Sequence, residues 1–266
     1  MSKISDKDIE KNRYDKIAHK KIKLLDVDTN NKNYFGQDTV KESLRDPYML
    51  YEDSVRAMLS PGTNCLELGS GDGRFTRLLL ESGSDVHCLD ISKISNKINQ
   101  KKNKSYKNLT THEGDIERMP FPDNHFDFIV NAGSLSYGKK ILVKNEILRI
   151  LKDGGCFMAV DSLNNSPIYK FNRFIRYLLR NRSKMTLVNM WNINDLNQFS
   201  KYFESSEVQF FGIISWIEPI LSRFMGKEKF ISLSRRVDKI SYLNFLSFKF
   251  VFIGKKLIQK NKDSYR

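Results

Sequence analysis

The 266-residue sequence predicts an α/β fold built on a doubly wound, mostly parallel sheet of seven strands, with an antiparallel edge strand and a helical insertion. Short apolar runs alternate with helix-like segments between residues 64 and 162, which is the pattern of successive βαβ units. A glycine-rich stretch joins the first strand to the first helix of this series. Two strand-like runs late in the chain predict the antiparallel edge strand.

The predicted strands are short and apolar, and turn-forming or polar residues separate them from the helices. They cover residues 64–68, 85–91, 109–116, 126–133, 154–162, 207–214 and 248–256. The helices of the alternating part are predicted at residues 73–82, 93–103 and 139–152. In the last of these, apolar residues recur at helical spacing, so one face is expected to pack on the sheet.

Charge is distributed unevenly along the chain, whose formal net charge is +14. Residues 1–162 hold 26 Lys and Arg against 24 Asp and Glu, whereas residues 163–266 hold 19 against 7. A surface of one sign attracts phosphates, whether these belong to nucleic acid, nucleotide-sugars, lipid head groups or an anionic membrane. Charge alone does not choose among these partners.

The cysteines and the apolar runs indicate the compartment. Cys65, Cys88 and Cys156 lie in predicted strands without a CxxC pair, so we expect buried free thiols and no metal site. The charged N-terminus shows no export signal, and the apolar run at 210–221 is shorter than a membrane span, which needs about 20 residues. A cytoplasmic protein is expected, with peripheral contact at the inner face of an anionic membrane as a further option.

The stretch CLELGSGDGRFT, residues 65–76, carries three glycines spaced two apart. Glycine lets a ligand lie against the main chain, and the N-terminus of the following helix favours polar or anionic groups. A dinucleotide-binding loop has the pattern GxGxxG. Here the third glycine comes one position early and Arg74 takes the sixth position, which disfavours a dinucleotide.

Four motifs in order give the chain a resemblance to class I S-adenosylmethionine-dependent methyltransferases. ELGSGDG at 67–73 resembles their ExGxGxG loop, and Asp90 ends the second strand as their acidic residue does. GDIERMPFPDNHFDFIV at 114–130 resembles the segment that leads into strand four. LKDGGCFMAVD at 151–161 resembles the entry to strand five. The resemblance implies a Rossmann-like methyltransferase fold and S-adenosylmethionine as the cofactor.

The family pattern, carried over to matching positions, implies a cofactor site. Asp90 would bind both ribose hydroxyls, and Glu67 would lie near the methionine amino group. Asp115 and Ile116 would flank the adenine, and the end of strand four would lie beside the sulfonium. The predicted cofactor-binding residues are Glu67, Gly69, Ser70, Gly71, Asp72, Gly73, Asp90, Ile91, Asp115, Ile116, Asn131, Ala132 and Gly133.

The resemblance also implies how the domain is organised. Residues 1–60 are expected to form a helical cap over the active site. Residues 61–266 are expected to form the methyltransferase domain, with a basic lid insertion at about 163–206.

Methyl transfer from a sulfonium requires mainly alignment and exclusion of water, but a base assists when the acceptor is an alcohol. The candidates for that base are His19 in the cap, Tyr137 after strand four and Asp161 at the end of strand five.

Residues 168–184 read as an amphipathic helix. Its apolar face comprises Ile168, Phe171, Ile175, Leu178 and Leu179. Beside this face lie Arg173, Arg176 and Arg180. Two interpretations remain open: a core-facing helix with a solvated basic side, or a lid whose arginines bind a phosphorylated acceptor, since guanidinium matches phosphate bidentately.

The acceptor is predicted from a second, softer resemblance. AGSLSYG after strand four and DSLNNSPIYKFNRFIRYL after strand five are similar to segments of small methyltransferases of bacterial surface-polysaccharide biosynthesis. This implies a sugar hydroxyl on a nucleotide-linked or lipid-linked glycan intermediate. A quinone or other lipid acceptor is an alternative, suggested by the apolar stretch at 210–221 and the basic surface.

Two further alternatives complete the set. The net charge suggests a nucleic-acid methyltransferase, but strand four ends in NAGS where amino-directed DNA and RNA enzymes have NPPY or DPPY, and no RNA-binding module is recognisable. From a different class comes a cofactor-binding protein without catalysis, against which the intact loop and acidic residues argue.

Overall fold

The computed structural model describes residues 6–25, 42–179 and 183–258, excluding the side chains of Ile17 and of residues 19–25. A single seven-stranded sheet runs in the order β3-β2-β1-β4-β5-β7-β6. The strands are β1 Asn64–Leu68, β2 Asp85–Asp90, β3 Leu109–Glu113, β4 Phe126–Ala132, β5 Leu151–Ser162, β6 Phe203–Phe211 and β7 Lys249–Lys256. The first five strands are parallel. The predicted doubly wound, mostly parallel α/β sheet is confirmed.

The predicted antiparallel pairing at the edge is confirmed: the edge strand β6 pairs antiparallel with β7, which lies second from the edge. This strand pairs antiparallel with β5 on one side and with β6 on the other. Phe250, Val251 and Phe252 are all buried, and a strand buried on both faces suits an interior position in the sheet. The edge strand β6 instead carries the exposed polar run 204–207 after the buried Phe203, and polar edges protect a sheet from pairing with other chains.

Helices cover both faces of the sheet. They are α1 Asp6–Leu25, α2 Asp46–Met58, α3 Thr76–Glu81, α4 Lys93–Lys102, α5 Lys140–Ile150, α6 Pro167–Leu178, α7 Lys184–Val188, α8 Ile193–Ser200, α9 Glu218–Met225 and α10 Lys227–Val237. Two apolar clusters form the core, and successive residues of one strand join different clusters because strand side chains alternate in direction. Thus Cys65 belongs to the cluster that contains Tyr51 and Leu79, whereas Leu66 belongs to the cluster that contains Ile147.

The position of β1 determines where a ligand can bind. This strand pairs with β2 on one side and with β4 on the other, so the strand order reverses beside it. Ligands of open α/β sheets bind at such a reversal, outside the carboxyl ends of the strands. The glycine-rich turn that follows β1 therefore lies at the expected ligand crevice.

The three cysteines are buried and free, as predicted. Burial raises the pKa of the Cys156 thiol to about 12 and that of Cys65 and Cys88 well above the ordinary value. Among the described residues, no group of His, Cys, Asp and Glu side chains has the arrangement of a metal site. No helix in the described ranges is long and apolar enough to cross a membrane.

Helix α6 differs from its prediction in length and in orientation. It ends at Leu178, and α7 begins after Ser183, whose hydroxyl caps it. The interpretation of a core-facing helix is wrong, because Phe171 is 67% exposed and Leu178 is 58% exposed. Tyr169 is the buried residue of α6, and its hydroxyl donates to the Gly212 carbonyl at 2.8 Å. The helix is therefore attached through its polar side.

Candidate active site

A first cavity lies at the carboxyl ends of β1, β2 and β4. All but two of the predicted cofactor-binding residues line it. Those lining it are Glu67, Gly69, Ser70, Gly71, Asp72, Asp90, Ile91, Asp115, Ile116, Ala132 and Gly133. Residues that are far apart in sequence thus share one wall because each follows the end of a parallel strand.

Gly73 and Asn131 lie behind this wall rather than on the cavity. A Cβ at Gly73 would stand 2.2 Å from Asn99 Oδ1, so Gly73 permits close packing of the turn on α4. Asn131 is fully buried, and its side-chain nitrogen donates to the Leu68 carbonyl at 3.2 Å. Both residues support the positions of the strand ends.

Two glycines leave open space at the cavity. Gly71 has φ +54° and Gly133 has φ +93°, and a Cβ at either would meet no atom within 4 Å. Backbone at positive φ with nothing above it is a surface on which a ligand can lie directly. The open backbone at Gly71 and Gly133 therefore fits a cofactor that contacts the main chain directly.

The carboxylate of Asp90 connects the glycine turn to the start of α4. Gly71 N–H donates to one carboxylate oxygen at 2.8 Å, and Ser92 N–H donates to the other at 2.8 Å. Each oxygen keeps acceptor capacity, because a carboxylate offers about four lone-pair sites. Burial raises the pKa of Asp90, although these two N–H bonds oppose the rise. Both oxygens can still accept from a pair of ligand hydroxyls.

Glu67 is buried at the end of β1. The Thr76 hydroxyl donates to Oε2 of Glu67 at 2.5 Å. Burial raises the pKa of Glu67 to about 7, and the bonds from Thr76 and Cys88 act in the opposite direction. This carboxyl therefore changes charge near neutral pH.

Helix α1 covers the far end of the cavity. Lys7 pairs with Asp115 and, at 2.6 Å, with Glu117. Asp15 accepts from the hydroxyl of Ser92. These contacts hold the N-terminal helix over the loops after β2 and β3. The predicted extent of the cap, residues 1–60, stays a prediction, and the His19 side chain lies outside the described residues.

A second cavity adjoins the first. Four residues line both: Tyr48, Ala132, Gly133 and Tyr137. The Tyr137 hydroxyl contacts the Tyr14 hydroxyl of α1, and the two rings meet edge to face with centroids 5.5 Å apart. Tyr137, predicted as a catalytic residue, therefore lies at the junction of the cavities. Tyr14 and Tyr48 were not predicted, because no motif marks them.

The floor of the second cavity contains a buried acid and a buried lysine. Asp161, the third candidate base, accepts from the backbone N–H of Leu135 at 3.0 Å and of Ser162 at 2.6 Å. Burial raises its pKa, and Lys249 opposes the rise. The Lys249 ammonium lies 4.8 Å from the centre of the Tyr48 ring. Lys249 was missed from the sequence because it lies inside the strand predicted at 248–256 and no motif marks it.

The arginines predicted to bind the acceptor have different environments. Arg173 and Arg176 line the second cavity, whereas Arg180 lies outside the described residues. Arg173 donates to the Leu163 carbonyl at 2.9 Å and lies over the Phe248 ring at 5.3 Å. Arg176 is exposed in the last turn of α6. Arg176 is therefore the better placed of the two to meet a ligand.

Comparison with known proteins supports methyl transfer, the chemistry that the sequence motifs predict. Residues 66–159 match the family model described as a methyltransferase domain. A demethylmenaquinone methyltransferase of Listeria welshimeri is 27% identical over 195 residues, which cover 70% of this chain and 73% of that protein. A sarcosine/dimethylglycine N-methyltransferase of Aphanothece halophytica is 32% identical over 113 residues, 40% of this chain and 41% of that protein.

The chain is an S-adenosylmethionine-dependent methyltransferase. Its resemblance to class I enzymes is borne out, whereas the polysaccharide context remains a prediction.

Solved structures show the same fold at low identity. Phosphoethanolamine N-methyltransferase 2 of Haemonchus contortus, bound to S-adenosyl-L-methionine, matches 81% of the methyltransferase with a TM-score of 0.57 and 17% identity. The match spans 53% of that longer chain. Geranyl diphosphate C-methyltransferase of Streptomyces coelicolor matches 81% with a TM-score of 0.55 and 15% identity, covering 80% of that chain.

Replacing Asp90 tests its role at the ribose. We expect Asp90→Ala to weaken S-adenosylmethionine binding by about 1–3 kcal/mol, because ligand hydroxyls lose their acceptor. Asp238→Ala is the matched control: Asp238 also accepts two backbone N–H groups, from Gly212 and Ile213, but does not line the first cavity. Calorimetric titration measures both variants. Unchanged affinity in Asp90→Ala would contradict the ribose assignment.

The titration of Glu67 predicts proton release on cofactor binding. A cofactor ammonium near this carboxyl would favour its charged form and lower its pKa from about 7. Binding near pH 7 should then release a fraction of a proton, and the release should vanish at higher pH, where Glu67 is already ionised. Calorimetry in buffers of different ionisation enthalpy measures this quantity.

Glu67→Gln should abolish the proton release. Glu52→Gln is the control, because burial also raises the pKa of Glu52 to about 7 but Glu52 does not line the cavity. Proton release that persists in Glu67→Gln would place the ammonium elsewhere.

Proposed function

We propose that the methyltransferase methylates a hydroxyl of a small phosphorylated acceptor held in the second cavity, namely a sugar hydroxyl of a nucleotide-linked or lipid-linked glycan intermediate. The observation that carries this proposal is the cationic wall of the second cavity, formed by Lys249, Arg173 and Arg176. The Lys249 ammonium lies 4.8 Å from the centre of the Tyr48 ring, at the junction with the first cavity. An acceptor anchored by its phosphate on that wall would extend its sugar toward the junction.

The environment of Lys249 favours an anionic ligand. Its side chain is buried, with only 7% of the residue exposed, and its ammonium lies over the rings of Tyr48 and Phe248. A buried charge is costly unless it is paired. The nearby Asp161 supplies part of the opposite charge, since Lys249 opposes the rise that burial causes in the pKa of its carboxyl. A phosphate in the second cavity would complete the pairing of this lysine.

The remaining chemistry is alignment. When bound, S-adenosylmethionine supplies a methyl group already activated by its sulfonium. Ala132 and Gly133 form the wall common to both cavities, so the acceptor and the cofactor can meet there. Tyr137 would accept the hydrogen bond of the acceptor hydroxyl and orient it. As the acceptor oxygen gains the methyl group, Tyr137 would pass the proton of that hydroxyl to solvent, and the cofactor would keep the sulfur as a neutral thioether. Asp161 would act as a positioning residue, because it holds the backbone of Leu135, two residues before Tyr137.

A quinone acceptor is the second candidate. The relatives named demethylmenaquinone methyltransferase extend over 70% of the chain, and the second cavity carries the aromatic rings of Tyr48, Tyr169, Trp216 and Phe248. Those rings would stack on a planar ring ligand. The cationic wall has no evident role in that case, which is why the phosphorylated acceptor is preferred.

An acceptor panel tests the proposal. The methyltransferase is incubated with S-adenosylmethionine and, separately, with nucleotide-sugars, short prenyl-linked sugar phosphates, a demethylated quinol, RNA and DNA. Mass spectrometry then seeks the mass of one added CH₂. Methylation of a phosphorylated sugar supports the proposal, and methylation of the quinol alone favours the second candidate. Methylation of nucleic acid, with binding that falls at a log–log salt slope of about −0.9 per phosphate contact on duplex DNA, would overturn both.

A further inference from the structure

Helix α6 directs its apolar face away from the protein. At about 100° per residue, Phe171 and Leu178 lie on the side of the helix opposite Tyr169, the residue that attaches it. Phe171, Phe174, Leu178 and Leu179 are each at least half exposed. A surface helix normally turns this stripe toward the core. Here the stripe faces outward and is available to a partner.

A second apolar stripe lies on α9 and the turn before it, and α9 itself has no buried residue. Ile220 and Phe224 are four residues apart on one side of α9, and Trp216 lies in the turn that precedes the helix. All three are exposed, Phe224 to 84%. Trp216 also lines the second cavity, as do Arg173 and Arg176 of α6. The two stripes therefore start from elements that border the same cavity.

Basic side chains accompany both stripes. Lys170 and Arg176 are exposed on α6, which contains no acidic residue. Arg223 is exposed next to Phe224, and Lys227 follows at the start of α10. Helices with aromatic and aliphatic residues on one side and Lys or Arg beside them lie in the interface of anionic bilayers, where the cations meet lipid phosphates.

We propose that the outward faces of α6 and α9 dock the methyltransferase on an anionic lipid bilayer, with the second cavity opening toward the membrane surface. The basic side chains beside the two stripes indicate a negatively charged partner. The exposed side chains of Phe171, Leu178 and Phe224 indicate a partner with an apolar interior. A protein partner would need matching acidic and apolar patches, whereas an anionic bilayer supplies both at any orientation. Docking requires neither cofactor nor acceptor, so it does not rest on the proposed function.

Vesicle flotation tests the docking. Full-length protein is mixed with vesicles of equal parts phosphatidylcholine and phosphatidylglycerol, and with vesicles of phosphatidylcholine alone. We expect binding to the anionic vesicles, weaker binding in high salt, and little binding to the neutral ones. Absence of binding to the anionic vesicles would overturn the proposal, as would equal binding to both kinds.

Substitutions locate the contact. The triple variant Phe171→Ser, Leu178→Ser and Phe224→Ser should lower the vesicle partition coefficient by more than about tenfold. A tenfold decrease corresponds to about 1.4 kcal/mol, and the burial of one large apolar side chain contributes about that much or more. Ile141→Ser is the matched control, an exposed apolar residue of α5, and should leave partition unchanged. Retained S-adenosylmethionine affinity shows that the triple variant is folded. Equal partition of the triple variant and the parent would overturn the assigned faces.

Tryptophan fluorescence gives an independent readout. The chain has two tryptophans: Trp191 is buried and Trp216 is 44% exposed. In Trp191→Phe, anionic vesicles should shift the Trp216 emission to the blue, and lipids brominated on the acyl chain should quench it. An exposed face that instead pairs two copies would give a dimer in sedimentation and no quenching, which would contradict membrane docking.

Discussion

Gly71→Val is expected to abolish S-adenosylmethionine binding while leaving a folded protein. The position has φ +54°, and a Cβ there meets no protein atom within 4 Å, so a valine side chain would occupy the space left for the ligand. The expected loss of affinity exceeds about 100-fold, or about 3 kcal/mol. Calorimetry of the purified variant measures the affinity, and urea unfolding measures its stability.

Gly62→Val separates ligand crowding from backbone strain. Gly62 has φ +78° and also nothing within 4 Å of its Cβ position, but it lies outside the first cavity. Both variants should lose free energy of unfolding by about 1–2 kcal/mol, the cost of a left-handed residue with a side chain. The control should bind the cofactor like the parent. If both variants bound it normally, the cofactor would not lie on the glycine turn.

Lys249→Met is expected to cut acceptor turnover while sparing the cofactor. Loss of a hydrogen bond to a charged group costs about 1.5–3 kcal/mol, which corresponds to a decrease of about 10- to 150-fold in kcat/KM for the acceptor. Cofactor affinity should stay within about twofold, or 0.4 kcal/mol, because Lys249 lines only the second cavity. Steady-state kinetics with the acceptor identified by the panel and calorimetry with S-adenosylmethionine measure the two effects.

Lys256→Met is the matched control on the same strand. Lys256 is also buried, but its ammonium donates to the carbonyls of Leu148 at 2.8 Å and Leu151 at 2.6 Å, at the opposite end of β7. Its replacement should lower the free energy of unfolding by about 1–3 kcal/mol through the unpaired carbonyls. Its kcat/KM should match the parent. Equal kinetic losses in both variants would indicate a general effect of β7 rather than an acceptor contact.

Local patterns predicted the alternating part of the chain closely. The apolar run at 64–68 is β1 as predicted, and β2, β3 and β4 begin at their predicted residues. Buried parallel strands and their connecting turns leave strong signals, because apolar runs and glycine positions are dictated by neighbours close in sequence. The helix predicted at 139–152 ends earlier in the structure, with the boundary between α5 and β5 at residues 150 and 151. The polar residues after Leu151 belong to the strand.

The motifs were also sufficient to predict most of the residues that line the cofactor cavity. Glu67, Asp90 and Asp115 each end or closely follow a parallel strand, and parallel strands end at one edge of the sheet. Their placement around one cavity therefore follows from topology alone. Gly73 and Asn131 were grouped with them by the pattern, but packing against Asn99 and Leu68 turns them away from the ligand space.

The sequence by itself determined the fold class, the glycine cradle and the acidic strand ends, because those features depend on residue type and short-range spacing. Only the tertiary structure decided the second cavity, where Tyr48, Tyr137 and Lys249 meet from three distant parts of the chain. It also decided the orientation of α6. A helical pattern shows that one face is apolar but not what that face meets, and the bond between Tyr169 and Gly212 turns the apolar face outward.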